Sequence, residues 1–114
     1  MSYSWQGGSG RWYQFEVAKA KRNWDPVGGV YMFVKPSDSP TGEWGGPICL
    51  FLGSTDSLAA ALERHNYWAA ANQLGAAEVH ILPIHDEALR RQVEADLLDA
   101  QRPILNRPQM KRAA

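Results

Sequence analysis

The chain of 114 residues contains a single cysteine, so no disulfide can close within it. Cys49 lies inside the apolar run Ile48-Cys49-Leu50-Phe51-Leu52, with no basic neighbour in sequence, which predicts a buried and inert thiol. No apolar stretch approaches the roughly 18 to 20 residues of a membrane span. The opening Met1-Ser2-Tyr3-Ser4-Trp5 lacks the basic-then-apolar order of a signal peptide. These absences predict a cytoplasmic protein without a membrane partner. Excess charge is missing too, because twelve Lys and Arg balance twelve Asp and Glu. A chain that wraps duplex DNA usually carries a positive excess. Phosphate contact would therefore fall to two local groups, Lys19, Lys21 and Arg22, and Arg102, Arg107, Lys111 and Arg112. There is no Gly-rich phosphate loop and no zinc-binding spacing. The length suits one domain, and an apolar fraction of 45% suits a globular one.

Tryptophan, by contrast, is plentiful, with five rings. Trp12 and Trp68 read as core, while Trp44, in a Gly/Pro-rich loop, reads as an exposed ring able to stack on a base. Residues 1–10 are rich in Ser and Gly and predict a flexible N-terminal tail. Residues 11–108 form the expected domain, and 109–114 a basic C-terminal tail.

Within the domain, Tyr13, Phe15 and Val17 alternate with polar residues as in a half-buried strand, and Lys19 to Asn23 allows a short helix. Val30 to Val34 and Ile48 to Leu52 read as an antiparallel hairpin, the second strand central and buried on both faces. After Gly53, the residues Ser54 to Ser57 offer N-caps for a helix from Leu58 to about Asn72, closed by Gly75. Val79 to Ile84 is a third strand. Asp86 can cap a last helix reaching Gln101, with the stripe Leu89, Val93, Leu97 and Ala100, before Pro103. The pattern predicts an α/β fold: a small, mainly antiparallel three-stranded sheet flanked by helices, with an extra N-terminal strand allowed.

Two tripeptides mark the ends of the hairpin, Gly29-Val30-Tyr31 and Phe51-Leu52-Gly53. Downstream, Glu94 is followed twelve residues later by Asn106, with Pro103 between them. Over residues 28 to 108 this pattern resembles the GIY-YIG nuclease superfamily. The resemblance implies that Tyr31 acts near an attacking water, as base or orienter. It further implies that Glu94 binds one divalent metal, Mg or Mn, and that Asn106 supports the site. One carboxylate, waters and a substrate phosphate suit such a hard cation.

Two positions depart from the family pattern. Phe51 lacks the second-motif hydroxyl, and Ala61, eight residues after Gly53, stands where the family has an arginine. Losing one preorganised donor costs about a hundredfold to a thousandfold in rate. Losing a bidentate guanidinium costs at least as much. Arg64 and His65 lie three and four residues past Ala61, on the same face of the expected helix, so Arg64 could reach back into the site. Each candidate also has a plainer reading. Arg64 is a solvated surface cation, His65 a packed edge residue and Tyr31 a core aromatic. Glu94 pairs with Arg90 or Arg91, and Asn106 caps the turn after Pro103. His80 and His85 receive no role.

The resulting expectation is a degenerate GIY-YIG nuclease-like domain, weak or inactive, that binds DNA, another nucleic acid or a protein partner. The alternative is an active Mg- or Mn-dependent DNA endonuclease in which Arg64 replaces the missing arginine. The segment from Lys35 to Pro47 is longer than usual between the two motifs and predicts an insertion beside the groove.

Overall fold

A computed structural model describes residues 1–19, 23–37 and 45–106. The strands are β1 (Ser2–Gln6), β2 (Trp12–Lys19), β3 (Gly29–Lys35), β4 (Ile48–Thr55) and β5 (Glu78–Pro83). Helices α1 (Leu58–Glu63) and α2 (Trp68–Gln73) follow β4, and α3 (Glu87–Gln101) follows β5, ending in a 3₁₀ turn at Ile104–Asn106. The sheet has five strands in the order β1-β2-β5-β3-β4, and every neighbouring pair is antiparallel. The fold is α/β as expected, but with five strands instead of three. Residues 1–10, expected to fray, instead hold β1 and the turn into β2. The Ser and Gly content hid a period-two pattern, Tyr3 and Trp5 against Ser2, Ser4 and Gln6. Trp5 is buried and anchors the strand.

The sheet is covered on both faces. On one, Trp5, Phe15, Val30, Met32 and Leu52 pack with Val93 and Leu97 of α3. On the other, Tyr31, Phe33, Phe51, Val79 and Ile81 pack with Leu58 and Ala71 of α1 and α2. A bulge explains how Leu50 and Phe51, adjacent in sequence, join the same cluster. Phe33 pairs with Phe51 and Val34 with Cys49, which leaves Leu50 extra and breaks the alternation.

Other expectations change in detail. β4 is an edge strand, and β5 takes a central place between β2 and β3. Trp12 is 63% exposed, so it is not core, while Trp68 is half-buried against the α1/α2 cluster. Cys49 is buried, and burial pushes its thiol pKa upward. Lys19 ends β2. Residues 20–22, Trp44 and the basic residues after Asn106 lie outside the described residues, as does most of the proposed insertion.

The long helix expected from Leu58 to Asn72 is broken. Ser57 caps α1 by accepting from Ala60 N, and the amides of Leu58 and Ala59 donate to the carbonyls of Val27 and Asp25. Arg64 then leaves helical geometry (φ −141°, ψ 69°) and α2 starts only at Trp68. Gly75 closes α2 at φ +107°, where a side chain would be strained. Asp86 caps α3, as expected, by accepting from Ala88 N. The buried stripe of α3 differs, because Arg90, Val93 and Leu97 are buried while Leu89 is exposed. The Arg90 guanidinium donates from Nη1 to the carbonyls of Ile84 and His85. Among the described residues no helix is long and apolar enough to cross a membrane.

Candidate functional site

Three successive residues at the end of β4 organise the site. Gly53 faces Tyr31 across the β3–β4 ladder. A Cβ on Gly53 would sit 2.7 Å from the Tyr31 hydroxyl oxygen, so only glycine lets the phenol lie over the backbone there. Tyr31 is 5% exposed. Its hydroxyl is 2.7 Å from His65 Nε2.

The proton on that bond can be assigned. His65 Nδ1 accepts the backbone N–H of Tyr67 at 3.1 Å, so it carries no hydrogen. The proton of a neutral ring is then on Nε2 and is donated to Tyr31. Burial holds the His65 pKa below its ordinary value, which keeps the ring neutral at pH 7. Burial first, and the Glu94 charge second, push the Tyr31 phenol up to about 12. This pair also explains the helix break. A local imidazole-to-backbone bond competes with the helical ladder at Tyr67, and the other ring nitrogen is drawn to β3.

Ser54 is next along β4. Its hydroxyl donates to Glu94 Oε1 at 2.8 Å. The ion-pair reading of Glu94 fails, since Arg90 is engaged by two carbonyls and Arg91 bonds Glu87 instead. Glu94 is half-buried, and its Oε2 accepts no hydrogen bond from the described residues. Leu52 precedes Gly53 and is held by Asn106. Asn106 Oδ1 accepts from Leu52 N at 3.0 Å, and Asn106 Nδ2 donates to Leu52 O at 2.9 Å. Asn106 therefore does not cap the turn with its side chain. It closes part of the β4 edge, where strand groups would otherwise lack partners.

Asn106, Tyr31 and Glu94 thus meet Leu52, Gly53 and Ser54 in turn. They do not all share one face. Ser54 pairs with Val30, which packs on the α3 side, whereas Tyr31 packs on the α1/α2 side. Phenol and carboxylate approach the same short segment from opposite sides of the sheet, near enough for the Glu94 charge to act on Tyr31. Among the described residues, no three His, Cys, Asp or Glu side chains gather as a metal cluster. A hard divalent cation needs less, since Mg²⁺ is commonly held by one or two carboxylates plus waters and phosphate. With Oε2 accepting nothing from the described residues, the half-buried Glu94 fits that requirement.

The departed positions are filled by packing. The Phe51 ring stacks on Tyr67 (4.9 Å, 22°) and on Phe33 (5.6 Å, 29°), and meets His65 edge-on at 4.9 Å. Ala61 packs against the same cluster. Arg64 lies beyond the end of α1, so it does not share a helical face with Ala61. It is exposed and forms no hydrogen bond or ion pair with the described residues. Sequence reasoning missed Ser54, which reads equally well as an N-cap, and Tyr67, which helical spacing placed mid-helix. Lys19 and Arg102 are exposed. A shallow, open depression lined by Met1, Ser2, Gln14, Phe15, Glu16, Ile81 and Pro83 lies outside this site.

No protein-family model matches the chain, and no curated protein or solved structure matches it significantly.

Proposed function

We propose that the chain is a degenerate GIY-YIG nuclease-like domain that binds nucleic acid and hydrolyses phosphodiesters slowly or not at all. One observation carries the reading: Tyr31, matched to the family by its tripeptide, and Glu94 and Asn106, matched by their spacing, meet three consecutive residues of β4. Separate packing roles would not require that. In this reading Glu94 is the carboxylate for a divalent cation, which when bound would neutralise phosphate charge and activate water. Asn106 keeps the β4 edge in place. His65 holds the Tyr31 oxygen by donating to it, and a phenol pushed up to about 12 stays protonated at neutral pH. Tyr31 then orients water or phosphate as a hydrogen-bond donor and removes no proton by itself.

The weakness follows from what surrounds this group. Phe51 offers a ring where a donor is needed, and Ala61 offers a methyl. Two missing phosphate contacts make a slow or silent enzyme. A second reading, an active Mg- or Mn-dependent endonuclease, is favoured by one feature. Arg64 is exposed and unpartnered, so nothing among the described residues holds it away from a bound phosphate.

The test is incubation of the protein with plasmid and oligonucleotides at low salt with Mg²⁺ or Mn²⁺, alongside Glu94→Ala and Arg64→Ala. The expected result is binding that weakens with salt, with little or no cleavage. Rapid cleavage abolished in both variants establishes the second reading. Neither binding nor cleavage overturns both and leaves a protein partner.

A further inference from the structure

We infer that Ser54 is a positioning residue, whose hydroxyl fixes the Glu94 carboxylate in readiness for a hard divalent cation. The inference rests on the metal role of Glu94 proposed above and adds the group that prepares it.

A half-buried carboxylate on a helix ordinarily takes a cation from the neighbouring turn, because a partly desolvated charge is costly without a partner. Glu94 has Arg90 four residues earlier and Arg91 three earlier. Neither serves it, since the Arg90 guanidinium turns to the carbonyls of Ile84 and His85 and Arg91 turns to Glu87. The group that meets Glu94 is a neutral hydroxyl at 2.8 Å.

That choice has a chemical consequence. A guanidinium would orient the carboxylate but cancel its charge. A hydroxyl orients it and leaves the full negative charge in place. One oxygen is fixed, and Oε2 accepts nothing from the described residues, so among them it is left open to a ligand. Such an arrangement suits Mg²⁺ or Mn²⁺, which keep several waters and need only one well-placed carboxylate from the protein.

The support is rigid for reasons set by the fold. Ser54 pairs with Val30 in the β3–β4 ladder, between the paired Gly53 and Thr55, so its backbone is held in register with β3. Strand alternation aims its side chain toward α3, and α3 is anchored there by Val93 and Leu97. A site built on a strand and a helix holds its geometry better than one on loops. The neighbouring hydroxyl, Thr55, is engaged with Ser57 and cannot substitute.

The experiment is a titration of the purified full chain with Mn²⁺, followed by electron paramagnetic resonance and calorimetry. Wild type is compared with Ser54→Ala, Ser54→Thr and Glu94→Gln, with circular dichroism to confirm folding. Wild type should bind Mn²⁺ saturably and Glu94→Gln should lose that binding. Ser54→Ala should bind about tenfold to a hundredfold more weakly, the usual cost of removing a partner that orients a metal ligand. Ser54→Thr, which keeps the hydroxyl, should recover most of the affinity. Equal affinity in Ser54→Ala and wild type overturns the role of Ser54 while leaving Glu94 as the ligand. A Ser54→Thr variant as weak as Ser54→Ala also overturns it. No saturable Mn²⁺ binding in wild type overturns the metal role of Glu94, and the inference with it.

Discussion

His65 and His80 belong to opposite sides of the same sheet and are held by the same device. Each accepts an N–H on Nδ1, His65 from the Tyr67 backbone and His80 from the Trp5 indole at 3.0 Å. Each therefore carries its proton on Nε2, and each is kept neutral by burial. They differ in what they touch next. His80 is buried on the α3 side and donates to Glu78, two residues away on its own strand. Its main effect is to fasten β1 to β5 across β2. His65 is half-buried, leaves a broken helix and donates to a phenol beside Gly53 and Ser54. A pinned neutral imidazole is thus no sign of chemistry by itself. The group at the far end of the hydrogen bond, and the elements it joins, separate a ring that fastens strands from one that holds a phenol beside Gly53 and Ser54.

Removing each ring should sharpen that contrast. His80→Ala leaves the indole N–H of Trp5 unpaired beside a new cavity, at a cost of about 3 kcal/mol. His65→Ala opens a site that water can enter, and should cost about 1 kcal/mol. Urea unfolding measures both. Equal losses at the two positions erase the distinction drawn here.

Acid should expose the same asymmetry on a smaller scale. Both histidines bind a proton less readily in the folded chain than at their ordinary 6.5. The unfolded chain therefore takes up more protons as pH falls, and stability drops with it. It should be complete above about 6.5 and decline below, toward the lowered folded values. At His80 burial lowers the pKa while Glu78 opposes it, and a protonated ring would also turn an N–H toward the Trp5 N–H. Denaturation midpoints measured from neutral to acid pH should fall less in His80→Gln than in wild type. An unchanged slope would show that His80 protonation does not drive the decline.

The two sides were unequally legible in the sequence. Local chemistry marked α3, from the Asp86 cap to Gln101, and marked the β3–β4 hairpin and the Gly75 stop. Long-range contacts decided the rest. β1 exists because Trp5 reaches His80, 75 positions away in sequence, and no window of Ser and Gly residues reports that. The apolar spacing through Leu58, Ala61, Leu62, His65 and Trp68 fits one helix, yet the His65 bonds to Tyr67 and Tyr31 break it. Arg90 is buried because carbonyls from the β5–α3 connection receive it, which period alone assigns to Leu89. Of the residues that meet Leu52, Gly53 and Ser54, Tyr31 stood out by its tripeptide and Glu94 and Asn106 by their spacing. Ser54 did not, because a hydroxyl after a glycine is equally a helix cap, and Ser57 took that task.

The smallest expected signal tests the chemistry of the His65 side directly. Donation from His65 stabilises a phenolate, but burial and the Glu94 charge disfavour it, and the net effect pushes Tyr31 up to about 12. Folding therefore protects the phenol proton. The stability this contributes is complete below the ordinary phenol value of about 10 and is lost as pH rises toward the folded value. The difference in alkaline absorbance between wild type and Tyr31→Phe isolates this one ring from the other three tyrosines. It should titrate above the ordinary range, and Glu94→Gln should move it down, because a source of negative charge is gone. A Tyr31 signal at or below about 10 would reverse the conclusion. His65 would then outweigh burial and the Glu94 charge at Tyr31.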